Sequence, residues 1–340
     1  MAERLSVRVR SVDVAQLAGV SRSAVSRAFT PGAYVSPETR QKVLRAAEAL
    51  GYQPNALARG LITQRTGIVG IVSTDLDNPF YAALLQTLAE ALQGKGLAPL
   101  LLFGDEHSTD RQIAQLLSYQ VDALMMTNAT LSSKMAARCA QSDRPVVAIN
   151  RYLAHQDITS ITCDNQGSAA AVADHLIAAG CKRIAFVAGI PDASSSRDRE
   201  AGFLRRLGHA GRAVVAHETG HYTHDGGVEA AKRMLALPEP PDGVFCANDL
   251  MAFGVMDAAR DIFGLTIPRD LKVCGFDNSS LASWSSYDLT SVDQDVDAMV
   301  EAALARMLAA HAGEATDTLH LEVPGRLVAR SSTAREPQPD

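Results

Sequence analysis

The run His217-Glu-Thr-Gly-His221, with His224 beyond it, matches H-E-x-x-H, which on a helix would set two zinc ligands and a general base on one face. Gly220 disfavours a helix, Val214-Val-Ala216 reads as strand and Tyr222-Thr-His-Asp-Gly-Gly227 as loop, so we expect no metal and no cofactor here. Neither a Gly-rich phosphate loop nor a G-x-S-x-G nucleophile turn occurs, which argues against an enzyme. Binding chemistry is better supplied. Asn78-Pro-Phe-Tyr81, Asn128, Asn150-Arg151, Asp164-Asn165, Arg197, Arg199, Asn248-Asp249 and Asp277 all fall after apolar runs. The amides and Asp277 would take sugar-like hydroxyls, Arg151 and Arg199 could take a carboxylate or phosphate in a fork, and Tyr222 and Trp284 could add apolar faces. Singly these are ordinary turn residues and helix caps, and Asp164 and Asp249 read as caps. Their recurrence at one end of many runs suggests a shared pocket.

The elements that must position them alternate. Ile68–Val72, Leu100–Phe103, Ala123–Met126, Val146–Ile149, Ile184–Val187, Val244–Ala247 and Leu271–Phe276 read as buried parallel strands. Between them lie helical stretches such as Phe80–Leu92, Gln166–Ala179, Gly227–Leu237 and Met251–Phe263. Repeated β-α units imply doubly wound sheets with ligands outside the carboxyl ends of the strands. The length of this body exceeds one ordinary core, so two similar lobes are expected.

A different pattern precedes it. Ser11 is placed as the cap of a first helix with Val14, Leu17 and Ala18 inward, Gly19 as the turn, Val20 as a plug, and Ser21 as the cap of a second helix with Ala24, Val25 and Ala28 inward. This is a helix-turn-helix. Ser36, Pro37 and Glu38 open a third helix that Gly51 stops. The second helix leaves Arg22, Ser23, Ser26 and Arg27 outside, where arginine could fork onto guanine in a DNA major groove. After Pro54, Asn55 could cap a short helix that is marginal alone, with Ala58 and Leu61 outward; two copies could enter the minor groove and wedge leucine between base steps.

Charge supports this division. Residues 1–65 carry ten bases and four acids, although the 340-residue chain has a net charge of −6. A basic module on an acidic body suggests a polyanionic partner for the first piece only. The five scattered cysteines, Cys139, Cys163, Cys181, Cys246 and Cys274, suit neither a disulfide framework nor a zinc cluster. No run is long and apolar enough to span a bilayer and the amino-terminal residues lack a secretion signal, so no membrane partner and a cytoplasmic location are expected.

The residues Asp13-Val-Ala-x-x-Ala-Gly-Val-Ser21, Val25-Ser-Arg27, Gly51-Tyr-x-Pro-Asn55 and Ala58-Arg-Gly-Leu61 carry a specific resemblance. From about residue 11 to 330 the chain resembles transcriptional repressors of the LacI/GalR (lactose-repressor/galactose-repressor) family. The resemblance implies that Arg22, Ser23 and Arg27 read bases, that Asn55 to Leu61, with Arg59, form a hinge helix, and that Leu61 is the wedge. It further implies a type I periplasmic-binding-protein-like body of two doubly wound parallel-sheet lobes behind the all-α head. Its effector pocket would be lined at Asn78, Phe80, Tyr81, Asn128, Asn150, Arg199, Tyr222, Asn248 and Asp277.

The expected divisions are a head at 1–53, a hinge and linker at 54–65, a body at 66–332 and a flexible tail at 333–340. Lobe one would hold 66–162 and 293–320, and lobe two 163–292 and 321–332, with crossings near Cys163, Val292 and Leu321. The expected partners are a near-palindromic double-stranded DNA operator, a sugar, sugar acid or sugar phosphate effector, and a second copy in a homodimer. A cytosolic sugar-binding module without DNA regulation and a corepressor-dependent regulator are the alternatives.

Overall fold

The computed structural model describes residues 9–30, 32–53, 65–74, 76–104, 108–128, 133–142, 144–152, 158–314 and 319–334. The expected hinge, with Asn55, Ala58, Arg59 and Leu61, lies outside them. The chain divides into two compact units, Met1–Gly67 and Ile68–Asp340.

In the first unit, α1 (Ser11–Ala18), α2 (Arg22–Ala28) and α3 (Pro37–Leu50) enclose a small core of Val14, Ala15, Val25, Ala28, Val43, Ala46 and Ala47. Gly19 takes the left-handed conformation (φ 65°) that lets the chain reverse after α1. Ser21 accepts from the Ala24 amide at 3.2 Å and starts α2 as expected. Arg40 on α3 donates to the carbonyls of Ala28 (2.6 Å) and Ala33 (3.2 Å), a cation placed at the negative end of α2.

Two sequence expectations fail at α1. Its N-cap is Arg10, whose amide donates to the Asp13 carboxylate at 2.7 Å, so Ser11 is the first helical residue and not the cap. Leu17 is 56% exposed because the inward stripe runs through Val14, Ala15 and Ala18.

The second unit is layered α/β. In chain order it runs β1 (Ile68–Ser73), α4 (Pro79–Gly94), β2 (Ala98–Phe103), α5 (Thr109–Ser118), β3 (Ala123–Met126), α6 (Ser133–Ala140), β4 (Val146–Ile149) and β5 (Thr159–Cys163). Next come α7 (Asn165–Ala178), β6 (Ile184–Ala188), α8 (Ser194–His209), β7 (Ala216–Thr219), α9 (His224–Leu235), β8 (Gly243–Cys246), α10 (Asp249–Asp261) and β9 (Lys272–Cys274). The last elements are β10 (Ser291–Asp293), α11 (Val296–His311), β11 (His320–Val323) and β12 (Arg326–Val328).

One parallel sheet has the order β11-β5-β4-β3-β1-β2 and the other β7-β6-β8-β9, so each sheet's first strand is flanked by its second and its third. That reversal of winding direction opens a crevice at the carboxyl ends of β1 and β3 and again at those of β6 and β8. Both faces of the larger sheet are covered. Val69 and Ile71 pack with Leu84, Leu88 and Met299, while Val72 on the opposite face packs with Ile113 and Leu116. This is why its strands read as continuous apolar runs.

The antiparallel pair β10–β12 lies between the sheets in the chain's path. β5 ends at Cys163 and β10 contains Val292. Leu321–Val323 pair in parallel with Ile161–Cys163, which assigns them to the larger sheet and moves the crossing from Leu321 to Pro324-Gly325.

Candidate functional site

On α2 the buried Ala24, Val25 and Ala28 fix the orientation of the helix, and Ser21, Arg22, Ser23, Ser26 and Arg27 stand exposed on its other side. Arg27 is steadied by a 3.3 Å bond from Nε to the Ser23 carbonyl. The arrangement offers two guanidinium forks and several hydroxyls along one short, solvent-facing helix, the donor set suited to base edges and phosphates.

In the second unit a cleft of about 570 Å³ is lined from the carboxyl ends of seven strands. Asn78, Phe80 and Tyr81 follow β1, Asn128 follows β3 and Asn150-Arg151 follow β4; Arg199 and Ser195 come from α8 after β6, Tyr222 follows β7, Asn248 follows β8, and Asp277 follows β9. Of the expected pocket residues, Trp284, Asn165 and Arg197 do not line it: Asn165 donates to the Cys163 carbonyl and Arg197 to that of Asp192. Trp284 follows the 3-10 turn Ser280–Ser283 and is 57% exposed; the ring against Phe253 is Tyr287, 4.2 Å away between centroids.

Local structure explains why these types stand there. Asn78 and Asn248 cap α4 and α10, accepting from Phe80 and Met251 amides at 3.0 Å each, so their amide groups stay at the cleft. Asn150 (φ 65°), His221 (φ 52°), Tyr222 (φ 64°) and Asp277 (φ 126°) all have positive φ and all line the cleft. Such backbone clustering is typical of ligand sites. Gly189 is required by close approach, since a Cβ there would lie 2.2 Å from the Tyr222 ring. That ring is held by a 3.1 Å bond between its hydroxyl and the Ser195 hydroxyl.

Asp277 is the junction of the floor. Its carboxylate faces Arg199 Nη1 at 3.6 Å and accepts from Gln294 at 2.7 Å and from Asn78 at 3.4 Å, the last joining the two sheets' loops. Arg199 is engaged through Nε and Nη1. It donates to Asn165 Oδ1 at 2.8 Å and the Ala247 carbonyl at 2.6 Å, and its guanidinium lies 3.7 Å from the centre of the Phe276 ring. Two of the three nitrogens of this fork are thus used by protein groups.

Asp164 caps α7, accepting from the Gly167 amide at 2.8 Å. Asp249 is no cap. Buried in the first turn of α10, it accepts from the Ser279 amide (2.7 Å) and the Ser291 hydroxyl (2.5 Å).

Burial pushes the Asp277 carboxyl up to about 7, against the pull of Arg199. Burial likewise raises Asp249 to about 6, opposed by its bonds from Ser291 and Ser279. Both groups hold a proton more tightly folded than unfolded. Their contribution to stability is therefore greatest below the ordinary carboxylate pKa near 4 and is lost as pH rises through about 6 to 7. We expect Asp249→Asn to raise the melting temperature at pH 8 relative to pH 5.5 when compared with the parent chain, as measured by calorimetry. An identical pH profile in both proteins would remove Asp249 as a source.

The sequence reading missed Thr74, Asp77, Ile190, Ser195, His221, Thr223, His224, Asp225 and Leu250, all of which line the cleft. His221 and His224 were visible only as the metal-like motif. Here Ala216–Thr219 is a strand and His221-Tyr222 a left-handed turn, so the helix that motif needs is not formed; His217 instead meets Glu200 at 2.9 Å. Strand position after β7 was the usable signal.

A helix-turn-helix unit followed by a two-sheet body with a polar cleft at its strand ends defines a ligand-responsive DNA-binding protein. Residues 12–55 match the model of bacterial regulatory proteins of the lacI family, and residues 173–333 that of the periplasmic binding protein-like domain. Catabolite control protein A of Priestia megaterium is 33% identical over 96% of this chain and 100% of its own. The regulator CelR of Thermobifida fusca is 31% identical over 94% and 96%. Among solved structures, the lac repressor dimer bound to operator and the anti-inducer ONPF superposes with a TM-score of 0.86 at 26% identity, covering 96% of this chain and 99% of that one. A CelR–cellobiose complex gives 0.72 at 29% identity, covering 96% and 100%.

The chain belongs to the LacI family and is a DNA-binding transcriptional regulator whose DNA affinity responds to an effector. The family consists of regulators and not of enzymes. No described helix is long and apolar enough to cross a membrane.

Proposed function

We propose that the protein is a homodimeric cytoplasmic repressor whose two heads read a near-palindromic operator, with Arg22, Ser23 and Arg27 on base edges and Ser11, Ser21 and Ser26 at the backbone. The observation that carries this is the exposed polar side of α2, whose orientation is set by a buried apolar side. Asn55, Ala58, Arg59 and Leu61 form the paired hinge in this reading, and Leu61 widens the minor groove. A sugar-like or sugar-acid effector enters the cleft, bridges the loops of the two sheets and shifts the body between two states of different operator affinity. The lac repressor dimer bound to operator and the CelR–cellobiose complex lend the partner classes to this reading.

Replacing Arg22 by alanine should cost about 1–3 kcal/mol against the cognate base and relax selection at one operator position. Anisotropy titrations on operators substituted one base pair at a time would measure it. A uniform loss on all sequences would make Arg22 a phosphate contact.

A further inference from the structure

Two adjacent residues of the cleft carry buried polar atoms that no group among the described residues satisfies. Arg151 is 6% exposed and its Nε has no hydrogen-bond partner; Asn150 is 3% exposed and its Oδ1 has none either. Both side chains line the cavity. Asn150 is already fixed, because its Nδ2 donates to the Tyr81 hydroxyl at 3.0 Å and its backbone is held left-handed at the end of β4. A buried guanidinium N–H without a partner is costly, and so is a buried acceptor.

The charges around them sharpen the point. The buried ionisable groups of the lining, Tyr81 aside, are Arg151, Arg199 and Asp277, and the last two are paired with each other at 3.6 Å. The other acids of the lining, Asp77 and Asp225, are exposed at its rim. Among the described residues, the buried floor therefore holds one cationic charge with no counter-charge beside an acceptor that needs a donor.

We propose that the effector is a polyol bearing one anionic group, with the anion on Arg151 and a hydroxyl donating to Asn150 Oδ1. This rests on the reading of the cleft as the effector site. A neutral sugar leaves the guanidinium charge unbalanced, whereas an anion forms the shorter charge-assisted bonds that a planar fork favours. A carboxylate and a phosphate share this chemistry, and the Asn150 acceptor excludes a second anionic oxygen at its own position.

The test titrates the full chain calorimetrically with matched sets: D-glucose, D-gluconate, D-glucuronate and D-glucose 6-phosphate, and the same four forms of D-galactose. The best anionic member should bind on the order of 100-fold more tightly than its neutral parent, and the carboxylate and phosphate arms identify the source of the charge. Arg151→Gln should erase that preference, and Arg151→Lys should restore part of it, with circular dichroism confirming the fold of each. Equal binding of a neutral sugar and its acid, or an unchanged preference in Arg151→Gln, overturns the inference and leaves the cleft as the effector site. If none of the eight compounds binds, or if any that bind leave operator affinity unchanged, the reading of the cleft falls with it.

Discussion

Asp277→Ala will uncouple operator binding from the effector. The carboxylate faces Arg199 and accepts from Gln294 and Asn78, so alanine leaves a buried guanidinium without its counter-charge and removes a contact between the loops of the two sheets. Breaking a buried pair from one side costs about 3–5 kcal/mol, within the stability a body of this size can lose and stay folded. The head forms a compact unit of its own, and operator affinity without effector should be retained. Gel shifts with and without the tightest ligand of the matched sets would read the result. Asp277→Asn keeps the shape and one acceptor oxygen while losing the charge, so it separates loss of response from loss of fold. A normal response in both variants would remove Asp277 from the effector site.

Val25→Asp will abolish operator binding and leave ligand binding intact. Val25 is 1% exposed at the centre of a core built almost entirely from alanines and valines. A carboxylate there has no cation or donor within the core, and the cost of burying it, several kcal/mol, exceeds what so small a three-helix unit can spare. Effector-induced stabilisation of the body, read as a rise in melting temperature, should match the parent chain. Full operator affinity in Val25→Asp would mean that the head does not depend on this core.

Much of this is legible because burial on both faces of a sheet writes itself as short aliphatic runs: Ile68–Val72, Ala123–Met126, Val146–Ile149 and Val244–Ala247 read as strands and fall on β1, β3, β4 and β8, two of them with ends one residue off. β5 does not, since Thr159-Ser-Ile-Thr-Cys163 hides a buried strand behind hydroxyls that hydrogen-bond inside the fold. α8 is hidden for a related reason: Ser194, Ser195, Ser196 and Arg199 are buried polar residues, so the helix lacks a plain apolar stripe. Cap positions erred by one residue at Ser11, where a carboxylate three residues on captured the Arg10 amide. At Asp249, a side chain that looked like a cap points into the junction with Ser279 and Ser291. Strand-end position marks many of the residues that line the cleft, but it could not show that Arg199 bonds to Asn165 and the Ala247 carbonyl while Arg151 Nε has no partner among the described residues.

The most direct measurement is fluorescence anisotropy of the full chain on fragments of its own genome over a series of salt concentrations, repeated in the presence of the tightest cleft ligand. Tight, salt-sensitive binding to a fragment with two inverted half-sites is expected, with a ligand-dependent change in that affinity of at least about fivefold. Equal affinity for all fragments, unmoved by any compound that binds the cleft, would contradict it.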